Sequence, residues 1–301
     1  MSGVETQTPS SPEPAATAER IFSLVRADLA RVEEEIDSRL ADASGDVSAI
    51  GRYLREAGGK RVRPALLLMC ARLTGKEASH SAIRMAAVVE MLHTATLVHD
   101  DIIDEAGVRR GRASANARWG NNVTVLMGDW LYMTAYDVAL GERDFRILDS
   151  LTRMTRLMVE GEIIQLSLIG NSHITEDQHL DIVRRKTAYM FSSCAEVGGL
   201  VSGATLEQCA ALARYGLSVG IAFQLIDDVL DFTSTEEKLG KPVLSDLREG
   251  KLTLPLIYLL EEGIPAHREM VESVMRDRQF DAFSREQVVG AIGEHKTIER
   301  A

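Results

Sequence analysis

Residues 97–111 read LVHDDIIDEAGVRRG and set Asp100, Asp101 and Asp104 among Leu97, Val98, Ile102 and Ile103. Ionised carboxylates stay in water unless a partner or a metal compensates them. Three of them in an apolar run therefore need an explanation. The run has a twin at 224–232, QLIDDVLDF, where Asp227, Asp228 and Asp231 repeat the D-D-x-x-D spacing. On an α-helix, positions three and four apart share a face. Each motif thus aims its carboxylates into one region, where uncompensated charge would be strongly destabilising. Mg²⁺ resolves this, because it takes oxygen ligands and keeps waters or substrate phosphates in its remaining positions. One such motif reads as a solvated acidic turn. Two, each in an apolar helix, point to a multi-metal diphosphate clamp across a helical bundle.

The surrounding chain fits an all-α protein. There is no proline from 65 to 241, and proline is the strongest helix breaker. Ile21, Leu24, Val25, Leu29, Val32 and Ile36 recur with helical period. Further helices are expected over 65–74, 80–106, 121–140, 146–168, 176–203, 206–234 and 252–262. They are punctuated by glycines such as Gly75, Gly141, Gly203 and Gly240. The 83–103 stretch is apolar nearly all round, which implies central burial. Residues 1–17 hold three of the seven prolines and read as a disordered tail. Residues 18–301 read as one domain.

The 301 residues carry a net charge of −11, which excludes nucleic acid as a partner, since phosphate binding needs a basic surface. A phosphate-bearing substrate would need local cations. Cys70, Cys194 and Cys209 show no CxxC spacing and read as core residues in a reducing compartment. No secretory signal and no run of about 18 apolar residues is evident, so a cytoplasmic protein without a transmembrane segment is expected.

Local cations are present. GGKRVRP, residues 58–64, leads into ALLLMCARL. Its glycines allow backbone to approach an anion, and Pro64 suits a first helical turn. Lys60 and Arg63 can clasp a diphosphate there. Arg109-Arg110 follow Asp104 closely, and Lys186, Thr187, Gln224, Lys241 and Lys251 are further polar groups that can converge. His93 lies on the same helix as Asp100. His99 reads as a hydrogen-bonded core residue.

GGKRVRP, EMLHTATLVHDDIIDEAGVRRG, KTAYMF, FQLIDDVLDF and LGKPVLSDLREGKLTLPLIYLL together resemble the trans-polyprenyl diphosphate synthase family over roughly residues 20–262. The resemblance implies the isoprenoid synthase fold, an all-α bundle around a deep cavity, as a homodimer. It implies Mg²⁺, three ions with substrate bound, and a reaction between isopentenyl diphosphate and an allylic diphosphate. Lys60, Arg63, His93 and Arg110 would hold isopentenyl diphosphate. Arg109, Lys186, Thr187, Gln224 and Lys241 would contact the allylic substrate. Asp100, Asp104, Asp227, Asp228 and Asp231 would hold metal. The catalytic set would be Asp100, Asp101, Asp104, Lys186 and Asp227. Mechanistically, the site would ionise the allylic diphosphate, condense the cation with isopentenyl diphosphate and eliminate a proton.

In this family, bulk four or five residues before the first motif shortens the product. Here those positions are Thr96 and Ala95, both small, so a long chain beyond four units is expected, as in octaprenyl and heptaprenyl synthases. Ala135 and Ala139 offer room farther down, while Tyr132, Met133 and Tyr136 are candidate floors. A peripheral membrane contact for product release is expected as well. A short-chain synthase making farnesyl or geranylgeranyl diphosphate, and a non-catalytic subunit of a heteromeric synthase, are the alternatives. A terpene cyclase has no use for the second diphosphate site. The family continues through more helical turns after Leu260 than this chain has, so a shortened C-terminal end is expected.

Overall fold

The computed structural model describes residues 14–73, 77–235 and 243–301, with side chains from Ala18 onward. Most of the expected disordered tail, and Gly75, Gly240 and Lys241, lie outside the described residues. The first helix, α1 (Pro14–Ser23), already begins inside the stretch expected to be disordered. It is followed by α2 (Arg26–Ala41), α3 (Gly45–Glu56), α4 (Val62–Arg72) and α5 (His80–Ile103). A two-residue hairpin, β1 (Val108–Arg109) paired with β2 (Arg112–Ala113), precedes α6 (Ala115–Trp119). Then come α7 (Asn121–Leu140), α8 (Phe145–Leu168), α9 (Glu176–Val183), a π-helical turn (Arg184–Ala188), α10 (Tyr189–Ser202) and α11 (Leu206–Thr233). The chain closes with α12 (Ser245–Arg248), α13 (Leu254–Glu261), α14 (Pro265–Asp277), α15 (Arg285–Glu294) and α16 (Thr297–Arg300).

Local chemistry starts these helices where they start. Ser79 accepts from the Ala82 amide at the head of α5, satisfying one of the orphan donors of a first turn. Thr175 with Gln178 and Thr205 with Gln208 form reciprocal capping boxes on α9 and α11. The all-round apolar character of α5 does put it at the centre: Ala82, Ile83 and every residue from Met85 to Leu92 are buried.

The described residues bury two cores. The larger joins α2, α4, α5, α7, α8 and α10 around Leu67, Met85, Leu92 and Phe191. Burying each such side chain stabilises by roughly 1.5–3 kcal/mol. The smaller gathers Leu247, Leu256, Leu259, Val271 and Ile292 from α12 to α15. Phe232, at the end of α11, belongs to the smaller core, so α11 runs from one core to the other.

Two helices, α5 and α11, are long and apolar enough by length and composition to cross a bilayer, a test that the core helix of a soluble protein also passes. For α5 the reason is its central burial. Residues within α11 are less covered, with Tyr215, Ile226 and Leu230 exposed.

Candidate active site

The first acidic motif ends α5. Asp100 lines a cavity of about 400 Å³ whose wall includes Thr96, Leu97, Tyr132, Met158, Ile163 and Leu166. Burial first, then the negative Glu162 and Asp104, push the Asp100 carboxyl up to about 6 against the pull of Lys186. Asp101 is one residue on, hence about 100° around the helix. It is buried on the other face of α5, bonded to the Arg109 guanidinium, and its backbone oxygen accepts from Asn116 Nδ2 at 3.1 Å. Asp101 and Arg109 thus pair with one another outside the lining of this cavity, which neither bears out nor overturns the expected catalytic role of Asp101 and the substrate contact expected of Arg109. Asp104 caps the helix and receives the Lys251 ammonium at 3.1 Å.

The second motif is anchored differently. Thr187 Oγ1 donates to Gln224 Oε1 at 2.7 Å, and Gln224 Nε2 donates to Asp228 Oδ1 at 2.8 Å. The other Asp228 oxygen faces His179 Nε2 at 3.1 Å. Asp231 is fully buried, accepting from Ser245 Oγ at 3.0 Å and from the Asp246 amide at 3.3 Å. In this structure the Asp228 and Asp231 oxygens each meet a protein donor, which leaves lone pairs for the metal expected there. Asp227 is exposed.

Lys186 and Thr187 sit on the π-helical turn, a local widening found most often at functional sites. Glycines on both sides let neighbouring helices reach it. A Cβ on Gly161 of α8 would lie 2.6 Å from Arg185 Cβ, and one on Gly220 of α11 would lie 2.5 Å from Ala188 Cα. The Lys186 ammonium meets Glu162, and it donates to Gln165 at 2.5 Å.

On the cationic side, Gly58 takes a left-handed turn (φ 69°) and Arg61 follows at φ 49°. Arg61 is committed to Glu33 and Glu90, each at 2.5 Å. Arg63 instead lines the cavity. Its Nη1 donates to His93 Nε2 at 3.1 Å, its plane lies 5.2 Å from the Phe191 ring, and its buried Nε has no partner. Burial, then the cations Arg63 and Arg110, hold the His93 imidazole well below its usual range, so it is neutral and accepts from Arg63. Among the described residues no carboxylate pairs with Lys60 or Arg110. A buried guanidinium with an unspent donor, in the field of the Arg110 cation, suits an anionic ligand.

Of the chain-length positions, Thr96 lines the cavity, whereas Ala95 is wholly buried one position round α5. Ala135 and Ala139 are likewise core residues. Tyr132 lines the cavity, Met133 faces outward at 64% exposure, and Tyr136 is pinned, donating to Thr155 Oγ1 at 2.8 Å. Met133 is therefore no floor. Glu162, Gln165 and His179 escaped the sequence reading. Their signal was only spacing: Glu162 and Gln165 are three apart on an amphipathic helix, so they share a face.

Among the described residues no three metal-ligating side chains form a ready cage. Mg²⁺ bound with a diphosphate needs only one or two carboxylates, and Asp100 and Asp104, with the Lys251 cation already standing on Asp104, fit that donor set.

The sequence model of the Polyprenyl synthetase family matches residues 46–292. Octaprenyl diphosphate synthase of Escherichia coli (strain K12) is 37% identical over 257 residues, 85% of this chain and 79% of the relative. Nonaprenyl diphosphate synthase of Mycobacterium tuberculosis is 41% identical over 245 residues, 80% of this chain and 72% of the relative. The crystal structure of a polyprenyl synthase from Caulobacter crescentus CB15, complexed with calcium and isoprenyl diphosphate, superposes with a TM-score of 0.89 at 34% identity, covering 96% of this chain and 88% of that one.

Proposed function

The chain belongs to the polyprenyl synthetase family, and we propose that its acidic helices and basic loop divide the work of joining isopentenyl diphosphate to an allylic diphosphate. It is a prenyltransferase. Its octaprenyl and nonaprenyl relatives favour a long-chain product over one of three or four units. The intact acidic motifs and basic loop argue against a non-catalytic subunit.

One observation carries the reading. Arg63, His93, Asp100 and Lys186 share a single cavity with the apolar Leu97, Met158, Ile163 and Leu166, so phosphate and hydrocarbon have adjoining places. Asp100, Asp104 and Asp227 would hold Mg²⁺, three ions with substrate bound, in keeping with the calcium and isoprenyl diphosphate of the Caulobacter protein. Bound Mg²⁺ supplies positive charge to the departing diphosphate. Lys186 and Lys251 add to that charge. Asp228 and Asp231, whose oxygens also tie α11 to His179 and to the 244–251 strap, complete the metal set.

Arg63, His93, Arg110 and Lys60 orient isopentenyl diphosphate. When the allylic C–O bond breaks, the diphosphate leaves with the electron pair. The isopentenyl double bond forms the new C–C bond to the cation, and the released diphosphate takes the proton then lost. The apolar walls exclude water that would otherwise trap the cation.

The protein works as a homodimer in this reading. Leu126, Met133 and Phe145, 67%, 64% and 79% exposed, are apolar side chains that a second copy would cover. Its unpaired, buried cysteines suit a reducing cytoplasm, and the exposed apolar residues of α11 suit peripheral membrane contact during product release. The test is incubation with Mg²⁺, labelled isopentenyl diphosphate and farnesyl diphosphate, followed by sizing of the dephosphorylated products. A ladder past four units is expected. A stop at three or four units overturns the long-chain reading, and no product at all overturns catalysis by this chain alone.

A further inference from the structure

The hairpin that carries Arg109 and Arg110 has little beneath it. A cavity of about 70 Å³ lies between its residues and Met91 and Val98 of α5. Its tip is also costly. Arg110 and Gly111 turn the chain with φ of 52° and 74°, the two-residue turn that best suits a hairpin. Glycine adopts that conformation freely, but a side chain such as that of Arg110 pays about 1–2 kcal/mol for it. Something other than core packing must therefore hold the tip.

Tyr53 of α3 is placed to do so. Its hydroxyl donates to the Ala113 carbonyl at 2.7 Å. Its ring carries two guanidinium groups, Arg112 from the hairpin at 4.3 Å and Arg118 from α6 at 4.5 Å. Trp119 meets the ring edge-on at 4.9 Å, and Arg118 also stacks 4.7 Å from Trp119. Ser114 closes the base of the hairpin, its Oγ donating to the Ala106 carbonyl at 2.5 Å. The stack ties α3, the hairpin and α6 into one unit, and it lies outside the groups assigned to substrate or metal.

We propose that Tyr53 is a positioning residue for Arg110: its stack with Arg112, Arg118 and Trp119 holds the hairpin where the Arg110 guanidinium meets the diphosphate of the isopentenyl substrate. This rests on the reading above in which Arg110 contacts that substrate. Cation–π contacts and one hydrogen bond together carry enough energy to set such a geometry.

The test compares wild type with Tyr53→Ala, Tyr53→Phe, Arg110→Ala and the Tyr53→Ala/Arg110→Ala double variant. KM for isopentenyl diphosphate and kcat are measured at saturating farnesyl diphosphate, with Tm alongside. Tyr53→Ala should raise that KM about 10-fold and change kcat by less than about twofold. Tyr53→Phe keeps the ring and should stay within about threefold of wild type. The double variant should bind no worse than Arg110→Ala, because Tyr53 acts through Arg110. If Tyr53→Ala folds poorly, the exposed Arg118→Ala removes one layer of the stack and should raise KM by about threefold. Additive effects in the double variant, or a raised KM in Arg110→Ala with none in Tyr53→Ala and Arg118→Ala, would overturn the positioning role. An unchanged KM in Arg110→Ala would instead overturn the substrate assignment of Arg110 itself.

Discussion

The Nζ of Lys251 stands 3.1 Å from Oδ1 of Asp104, across 147 residues of chain. The bond joins the strap that follows the second acidic motif to the last turn of the helix that ends in the first. Burial would depress the Lys251 ammonium, but Asp104 and Glu249 outweigh it and hold it above its usual range. Lys251 is thus a resident counter-charge where metal and diphosphate are proposed to meet.

Replacing it separates two effects. Lys251→Met frees Asp104, so Mg²⁺ alone should bind the substrate-free protein more tightly by calorimetry. The same change removes a cation from the diphosphate, so KM for the allylic substrate should rise about 10-fold, the worth of one charge-assisted hydrogen bond. A fall in both affinities would mean that Lys251 merely supports the fold.

The His179 imidazole meets Asp228 of the second motif. His179→Phe keeps the bulk but strips a partner from a buried carboxylate oxygen. Affinity for Mg²⁺ with inorganic diphosphate should drop about 10-fold, as for other groups that orient ligand carboxylates. His179→Gln should recover part of it. Unchanged affinity at unchanged Tm would leave His179 no orienting part.

The metal-free protein should show two opposed pH dependences. Asp100 keeps its proton up to about pH 6 in the folded state, so its share of stability grows as pH falls from 6 towards the unfolded carboxyl value. His93 resists protonation when folded, so its share is lost as pH falls below 6.5, the ordinary imidazole value. The two contributions carry opposite signs, and urea unfolding between about pH 4 and 6 reads them. Asp100→Asn should lose stability with acid across that window, and His93→Gln should gain it. Parallel curves for all three proteins would refute the opposition.

Product length should respond to the cavity wall. Thr96 is four residues, about 6 Å, below Asp100 along α5. Thr96→Phe should shift the ladder to shorter chains, and Tyr132→Ala should shift it to longer ones. Chromatography of the dephosphorylated products reads both. A ladder indifferent to Thr96→Phe would move the limiting contact elsewhere in the tunnel.

The helices were largely legible because period and punctuation are local: 121–140 and 146–168 return as Asn121–Leu140 and Phe145–Leu168. The hairpin was not, since two-residue strands carry no periodicity. The acidic motifs announced a site, but not which protein donors meet its oxygens. Asp231 meets Ser245 and Asp246, and Asp101 meets Arg109, contacts that spacing alone cannot foresee. Tyr53 lies 60 residues from the carbonyl it holds, and nothing near it in the chain marks it out.

The division into two cores bears on how this protein would fail when heated. Lys251 and the partners of Asp231 belong to the stretch that rests on the smaller core, while most of the helical mass rests on the larger one. Cooperative units of unequal size melt at unequal free energies. Warming should therefore silence turnover before circular dichroism registers much loss of helix, and cooling from that interval should restore it.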